Sequence, residues 1–153
     1  MSFEKAKEHL RKHKLDKKIL VFDKSSATVS DAAIAVGCNE NDISKTLSFL
    51  VNDEPILIVV SGESKIDNKK YKAEFKTKAK MIPFDEVEEY IGHSPGGVCP
   101  FGIKDNIKVY LDESLKDLEI TYPACGSSNS AVKLTIKELE ETSNYLKWID
   151  VCK

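Results

Sequence analysis

From Lys45 the chain reads K-T-L-S-F-L-V, breaks at Asn52-Asp53-Glu54-Pro55, and then runs apolar without interruption over 56–60. Strand side chains alternate between faces, so Lys45, Leu47, Phe49 and Val51 share one side and Thr46 and Ser48 the other. Asn, Asp and Pro are turn formers. Together these runs predict a β-hairpin whose second strand is apolar on both faces, which suits a strand in the interior of a sheet. A chain built on such a strand must cover its sheet on both sides.

The remaining sequence offers the cover. Phe3, Ala6, Leu10 and His13 recur at helical spacing, with Ser2 as N-cap. Residues 29–36 are Ala-rich and stop at Gly37. Residues 65–80 read as a lysine-rich helix, and 83–91 as a shorter acidic one whose Asp85, Glu86 and Glu88 suit the positive end of the helix dipole. Another helix is expected over 135–139, and further strands over 19–22, 107–111, 118–122, 131–135 and, as an edge strand, 147–152. Helices and strands interleave without regular β-α alternation, so we expect an α/β (α+β) fold with helices packed around a mixed sheet, one domain over residues 1–153.

Composition narrows the classes. The chain of 153 residues has a one-domain length, and 41% hydrophobic with 31% charged residues marks a globular chain, not a disordered one. A net charge of -2 argues against coating a polyanion, yet leaves room for a local basic face. The cysteines, Cys38, Cys99, Cys125 and Cys152, form no C-x-x-C pair, which excludes a zinc ribbon or thioredoxin-type motif. His9 and His13 lie one helical turn apart, but they lack the Glu of H-E-x-x-H and sit among basic residues, so they read as surface histidines. No metal or cofactor is expected. No apolar segment follows Met1, and the longest apolar run is far short of a membrane span, so the expectation is a cytoplasmic protein with reduced thiols and no membrane partner.

Several places could carry chemistry. Lys45 shares a face with Leu47 and Phe49; a lysine aimed into an apolar layer is costly unless an anion or cavity receives it, although at a strand start it can snorkel to water. The loop G-H-S-P-G-G-V-C-P-F-G over 92–102 holds four glycines and two prolines, a composition that serves either a plain turn or a backbone cradle for an anion or carbonyl. Cys99 lies six residues from His93 in that loop, which raises a Cys–His nucleophile as a rival to an ordinary packed thiol. Lys65, Lys69, Lys72 and Lys76 fall on one helical face, either solvated or tracking nucleic-acid phosphates. The small-residue stretch Tyr122-Pro123-Ala124-Cys125-Gly126-Ser127 ends a strand and leaves room for a ligand or forms an ordinary loop.

In order along the chain, I-S-K-T-L-S-F, G-H-S-P-G-G-V-C-P-F-G, Y-P-A-C-G-S and L-T-I-K-E-L resemble the YbaK/EbsC family, which includes the editing domain inserted in bacterial prolyl-tRNA synthetases. The resemblance covers about residues 3–146. It implies a mixed, partly barrel-like sheet and deacylation in trans of mischarged aminoacyl-tRNA, often tRNA(Pro) carrying a small wrong amino acid such as Cys or Ala. The implied partners are the acceptor end of that tRNA and prolyl-tRNA synthetase. Lys45 matches the family's essential lysine, and Gly96, Gly97, Val98, Cys99 and Pro100 match its G-x-x-x-P loop. His93, Pro100 and Phe101, with Ala124, Cys125, Gly126 and Ser127, fall at substrate-binding positions, and Lys65, Lys69, Lys72 and Lys76 would hold tRNA. On this reading Lys45 grips a phosphate or sugar, and the N–H groups of residues 96–99 receive the carbonyl. The rival readings are a non-catalytic tRNA- or synthetase-binding module and a Cys99-dependent acyl hydrolase.

Overall fold

The computed structural model describes residues 2–153. Its centre is the predicted hairpin, β2 (Ser44–Val51) and β3 (Glu54–Ser61), paired antiparallel from Ser44↔Ser61 to Val51↔Glu54. Asn52 and Asp53 take φ of 51° and 67°, the left-handed pair that a tight hairpin requires. Strand β4 (Lys108–Asp112) lies parallel to β3, and β8 (Lys147–Ile149) parallel to β4, giving the order β2-β3-β4-β8 with β8 on an edge. Residues 55–61 of β3 are buried on both faces.

Different helices cover the two faces. On the side of Phe49, Ile58, Val60 and Tyr110 lies α3 (Asn68–Phe75), packing Tyr71 and Phe75 into an aromatic cluster. On the side of Leu50, Leu57, Val59 and Leu111 the larger core takes in α1 (Ser2–Lys12) through Ala6 and Leu10. Ile91 of α4 (Val87–Ile91) and Leu139 of α5 (Ile136–Thr142) join it. Thr135 and Glu138 form a reciprocal capping box at the start of α5.

The class is α+β, as expected. Among the described residues the strands divide among three sheets, none closed into a barrel: the four-stranded one and two ribbons, β1 (Ile19–Val21) with β6 (Ser130–Val132), and β5 (Ile120–Thr121) with β7 (Leu134–Thr135). The segment expected as one strand over 131–135 thus serves both ribbons. Helix α2 (Val29–Val36) ends at Gly37 as predicted, with φ of 84° there, and starts at Thr28, whose hydroxyl accepts the Asp31 N–H.

The lysine-rich helix is shorter than expected. Asp67 caps it by accepting the Lys69 and Lys70 amides, and Lys76 closes it in the left-handed conformation, so Lys65 and Lys76 lie outside it. Two strong local stop signals override the helical spacing of the lysines. His9 also differs from its reading as a surface residue. It is half-buried, its Nε2 donating to Thr142 O (2.6 Å) and its Nδ1 accepting the Gly102 N–H (3.1 Å), while His13 is exposed. Among the described residues no helix is long and apolar enough to cross a membrane.

Candidate active site

At the start of β2, where the edge of the sheet meets α2, is a cavity of about 90 Å³. Ser44, Lys45 and Thr46 form one wall. Pro95, Gly96 and Val98 of the glycine loop form a second, and Tyr122, Ala124, Ser130 and Ala131 a third. The fourth comes from Ser26, Ala27, Thr28, Val29 and Ala32. The structure therefore brings Lys45, the glycine loop and the Y-P-A-C-G-S turn to one pocket, although about fifty and eighty residues separate them from Lys45.

The walls are tied to each other through the backbone. Gly126 N donates to Gly97 O (3.0 Å), docking the glycine loop on the turn after β5. Ser26 N donates to Ser128 O (2.6 Å), Phe22 N to Asn129 O (2.8 Å), and Asn129 Nδ2 to Phe22 O (3.0 Å), fastening the α2 entry to the same turn. Ser2 Oγ adds a bond from α1 to Gly126 O (2.5 Å). Sequence reading missed the 26–32 wall entirely. Its local trace is the run Ser25-Ser26-Ala27-Thr28, small residues ending in an N-cap, but only long-range pairing makes it part of a site.

Lys45 is half-buried and, among the described residues, makes neither an ion pair nor a hydrogen bond. Burial pulls its amine below the ordinary lysine range; the nearby Cys152 sulfur offsets part of this, and the charge of Lys65 adds to it. It is the one charged side chain in the lining, which holds no carboxylate or imidazole. Ser44 Oγ and Thr46 Oγ1 are buried without a partner. Among the described residues Val98 N–H has no hydrogen-bond acceptor, whereas Gly97 N–H is used on Ser94 O (2.9 Å).

Other residues singled out from the sequence stand behind this lining. Cys99 and His93 are fully buried, with Cys99 Sγ 3.5 Å from His93 Nε2 and that nitrogen 2.6 Å from Phe101 O. Burial drives the Cys99 thiol far above the usual range and lowers the His93 imidazole. A thiol this hard to ionise, beside an imidazole committed to a carbonyl, suits packing and not nucleophilic attack. Phe101 and Cys125 belong to the same core, and Pro100 and Gly126 are buried beside it. Ser127 bonds to Ser130 and Asn129 inside its own turn. Lys65, Lys69, Lys72 and Lys76 are exposed, and only Lys65 is close enough for its charge to act on Lys45.

Comparison with known proteins points one way. The aminoacyl-tRNA editing domain family matches residues 23–142. An uncharacterized protein of Bacillus subtilis (strain 168), YwhH, is 47% identical over 154 aligned positions, spanning 100% of this chain and 98% of that protein. A proline–tRNA ligase of Shouchella clausii (strain KSM-K16) is 32% identical across 67% of this chain, a stretch that makes up 18% of the ligase. A solved structure described as a candidate trans-editing enzyme for prolyl tRNA synthetase is 27% identical, with a TM-score of 0.88 over 99% of this chain and 97% of that one.

Proposed function

The chain belongs to the family of aminoacyl-tRNA editing domains, and on that premise we propose that it works in trans as a hydrolase of mischarged aminoacyl-tRNA, with tRNA(Pro) carrying a small wrong amino acid as substrate. The observation that carries this reading is the one pocket shared by the glycine loop and Lys45, which is half-buried and without a partner among the described residues. A lone cation at a sheet edge suits the phosphate or ribose of a terminal nucleotide, and a cavity of about 90 Å³ suits a small acyl group. The proline–tRNA ligase relative and the trans-editing neighbour support tRNA(Pro) as the carrier.

In this mechanism Lys45 holds the nucleotide and the free Val98 N–H receives the ester carbonyl, where negative charge develops. Water adds to the carbonyl carbon, and the bond from that carbon to the ribose oxygen breaks. The products are a free amino acid and a ribose hydroxyl, the proton passing from the water to the leaving oxygen. The lining offers no carboxylate or imidazole as general base, so rate comes from positioning and charge stabilisation on an ester that is already labile.

The test is a panel of tRNAs charged with different amino acids, assayed with wild type, Lys45→Ala and Cys99→Ala. Loss of deacylation in the lysine variant alone supports the reading. Loss in the cysteine variant alone would favour a thiol-dependent hydrolase, and no turnover of any charged tRNA a binding module.

A further inference from the structure

Two hydroxyls on residues that line the pocket have no role in that mechanism. Ser44 Oγ and Thr46 Oγ1 are buried and have no hydrogen-bond partner among the described residues, and both residues line the pocket. Ser44 is only 3% exposed. They flank Lys45 on β2 and stand on the opposite strand face from its Cβ. A buried hydroxyl left unpaired costs about 1–3 kcal/mol, so a partner arriving with the ligand recovers what the free protein forgoes.

The charges around the pocket limit what that partner can be. Lys45 is the charged member of the lining, and Lys65 adds a second positive charge near it. Tyr122 is the other titratable lining group; Asp42 and Cys38 act on it from outside the lining, Cys152 lies near Lys45, and Asp31 on α2 is exposed. No carboxylate lines the cavity to neutralise an ammonium, which would enter beside a cation already resisting burial. An uncharged amine carries no such penalty and brings two N–H donors for two waiting acceptors.

Resting on the deacylase reading, we infer that Ser44 and Thr46 accept the hydrogens of the substrate's α-amine and that the pocket selects aminoacyl esters in their neutral-amine form. The site then discriminates by the amine as well as by side-chain size, and an acyl group without an α-amine forfeits both hydroxyl contacts. The α-amino group titrates at about 7.7–8.0 in simple peptides, so the selected form grows as pH rises toward that range.

The experiment uses the aminoacyl ester cleaved best in the charged-tRNA panel and its counterpart lacking the amine, propionyl-tRNA in the case of alanyl-tRNA. Each is assayed between pH 6 and 9 with uncatalysed hydrolysis subtracted. The ratio of kcat/KM for the amine-bearing ester to that for its counterpart should rise about tenfold per pH unit and then level above the amine's pKa. Ser44→Ala and Thr46→Val should each lower that ratio about five- to tenfold at pH 8.5. Their Tm should stay level or rise, because neither hydroxyl holds anything in the free protein. A ratio that is flat or falls with pH overturns the inference while leaving the deacylase intact. So do variants that lose both esters equally with a lowered Tm, the mark of a structural role. No turnover of either ester overturns the deacylase reading and this inference with it.

Discussion

Gly126 donates its amide to the carbonyl of Gly97 at 3.0 Å, and a Cβ built on Gly97 would stand 2.4 Å from the Ser127 nitrogen. The glycine at 97 is therefore required by the close approach of two backbones, the glycine loop and the turn after β5. Gly97→Ala should force them apart, costing about 1–3 kcal/mol and displacing the wall that carries Val98. Urea unfolding would show the lowered midpoint, and deacylation should fall with it.

Removing the pocket's lone charge should have the opposite profile. Lys45 makes no ion pair or hydrogen bond among the described residues and is partly desolvated, so Lys45→Ala should change stability by no more than about 0.5 kcal/mol. Its loss should reduce kcat/KM by about a hundredfold or more, the scale of removing one group that stabilises developing charge or fixes the substrate. Cys99→Ala should invert this, with most activity kept and about 1 kcal/mol of stability lost, because the fully buried thiol packs in the core. Thermal melts beside single-turnover assays separate the two.

Acid should loosen the glycine loop through His9, which holds it from α1, and His93 within it. His9 accepts the Gly102 N–H on Nδ1 only when that nitrogen is unprotonated, and burial lowers its pKa, with His13 and Lys12 adding to the shift against the Thr142 carbonyl. His93 is lowered in the same direction, by burial first. A depressed folded-state pKa means the stabilisation is present above the unfolded value, about 6.5, and is lost as pH falls through the lower folded value. Stability should thus drop as pH falls below about 6.5, and His9→Gln should show a shallower drop. Denaturant midpoints across that range would read both slopes; equal slopes would remove His9 from the account.

The hairpin and the two-sided burial of β3 were legible because each follows from local periodicity, and the placing of Lys45 with Gly96 and Val98 at one pocket from motifs that stand intact in the chain. The α2 entry was not, since Ser26 becomes a pocket wall only by its bond to Ser128, about a hundred residues away. The lysine segment misled because spacing suggests a helix without fixing its ends; Asp67 and Lys76 fix them. Cys99, Phe101 and Cys125 sit in motifs that line a pocket, yet their own side chains turn into the core, which alternation along an irregular loop does not reveal.

The shortened helix also divides the four lysines proposed to hold tRNA. Lys69 and Lys72 ride on α3, which covers the sheet face bearing Phe49 and Val60, while Lys65 precedes the helix and its charge reaches Lys45. Of the four, Lys65 is the one whose charge acts on the pocket lysine, so it is the one expected to matter most to a tRNA whose acceptor end enters there. Lys65→Glu should therefore weaken tRNA binding more than Lys76→Glu, and should flatten its salt dependence by about one phosphate contact. Reversing Lys65 also replaces a repelling neighbour of Lys45 with an attracting one, which raises the Lys45 pKa. Filter binding between 50 and 200 mM salt, repeated with a short aminoacyl-adenosine mimic, separates the two effects. Weaker binding of tRNA alone marks a phosphate contact, and equal loss on both substrates would place Lys65 in the pocket's own electrostatics.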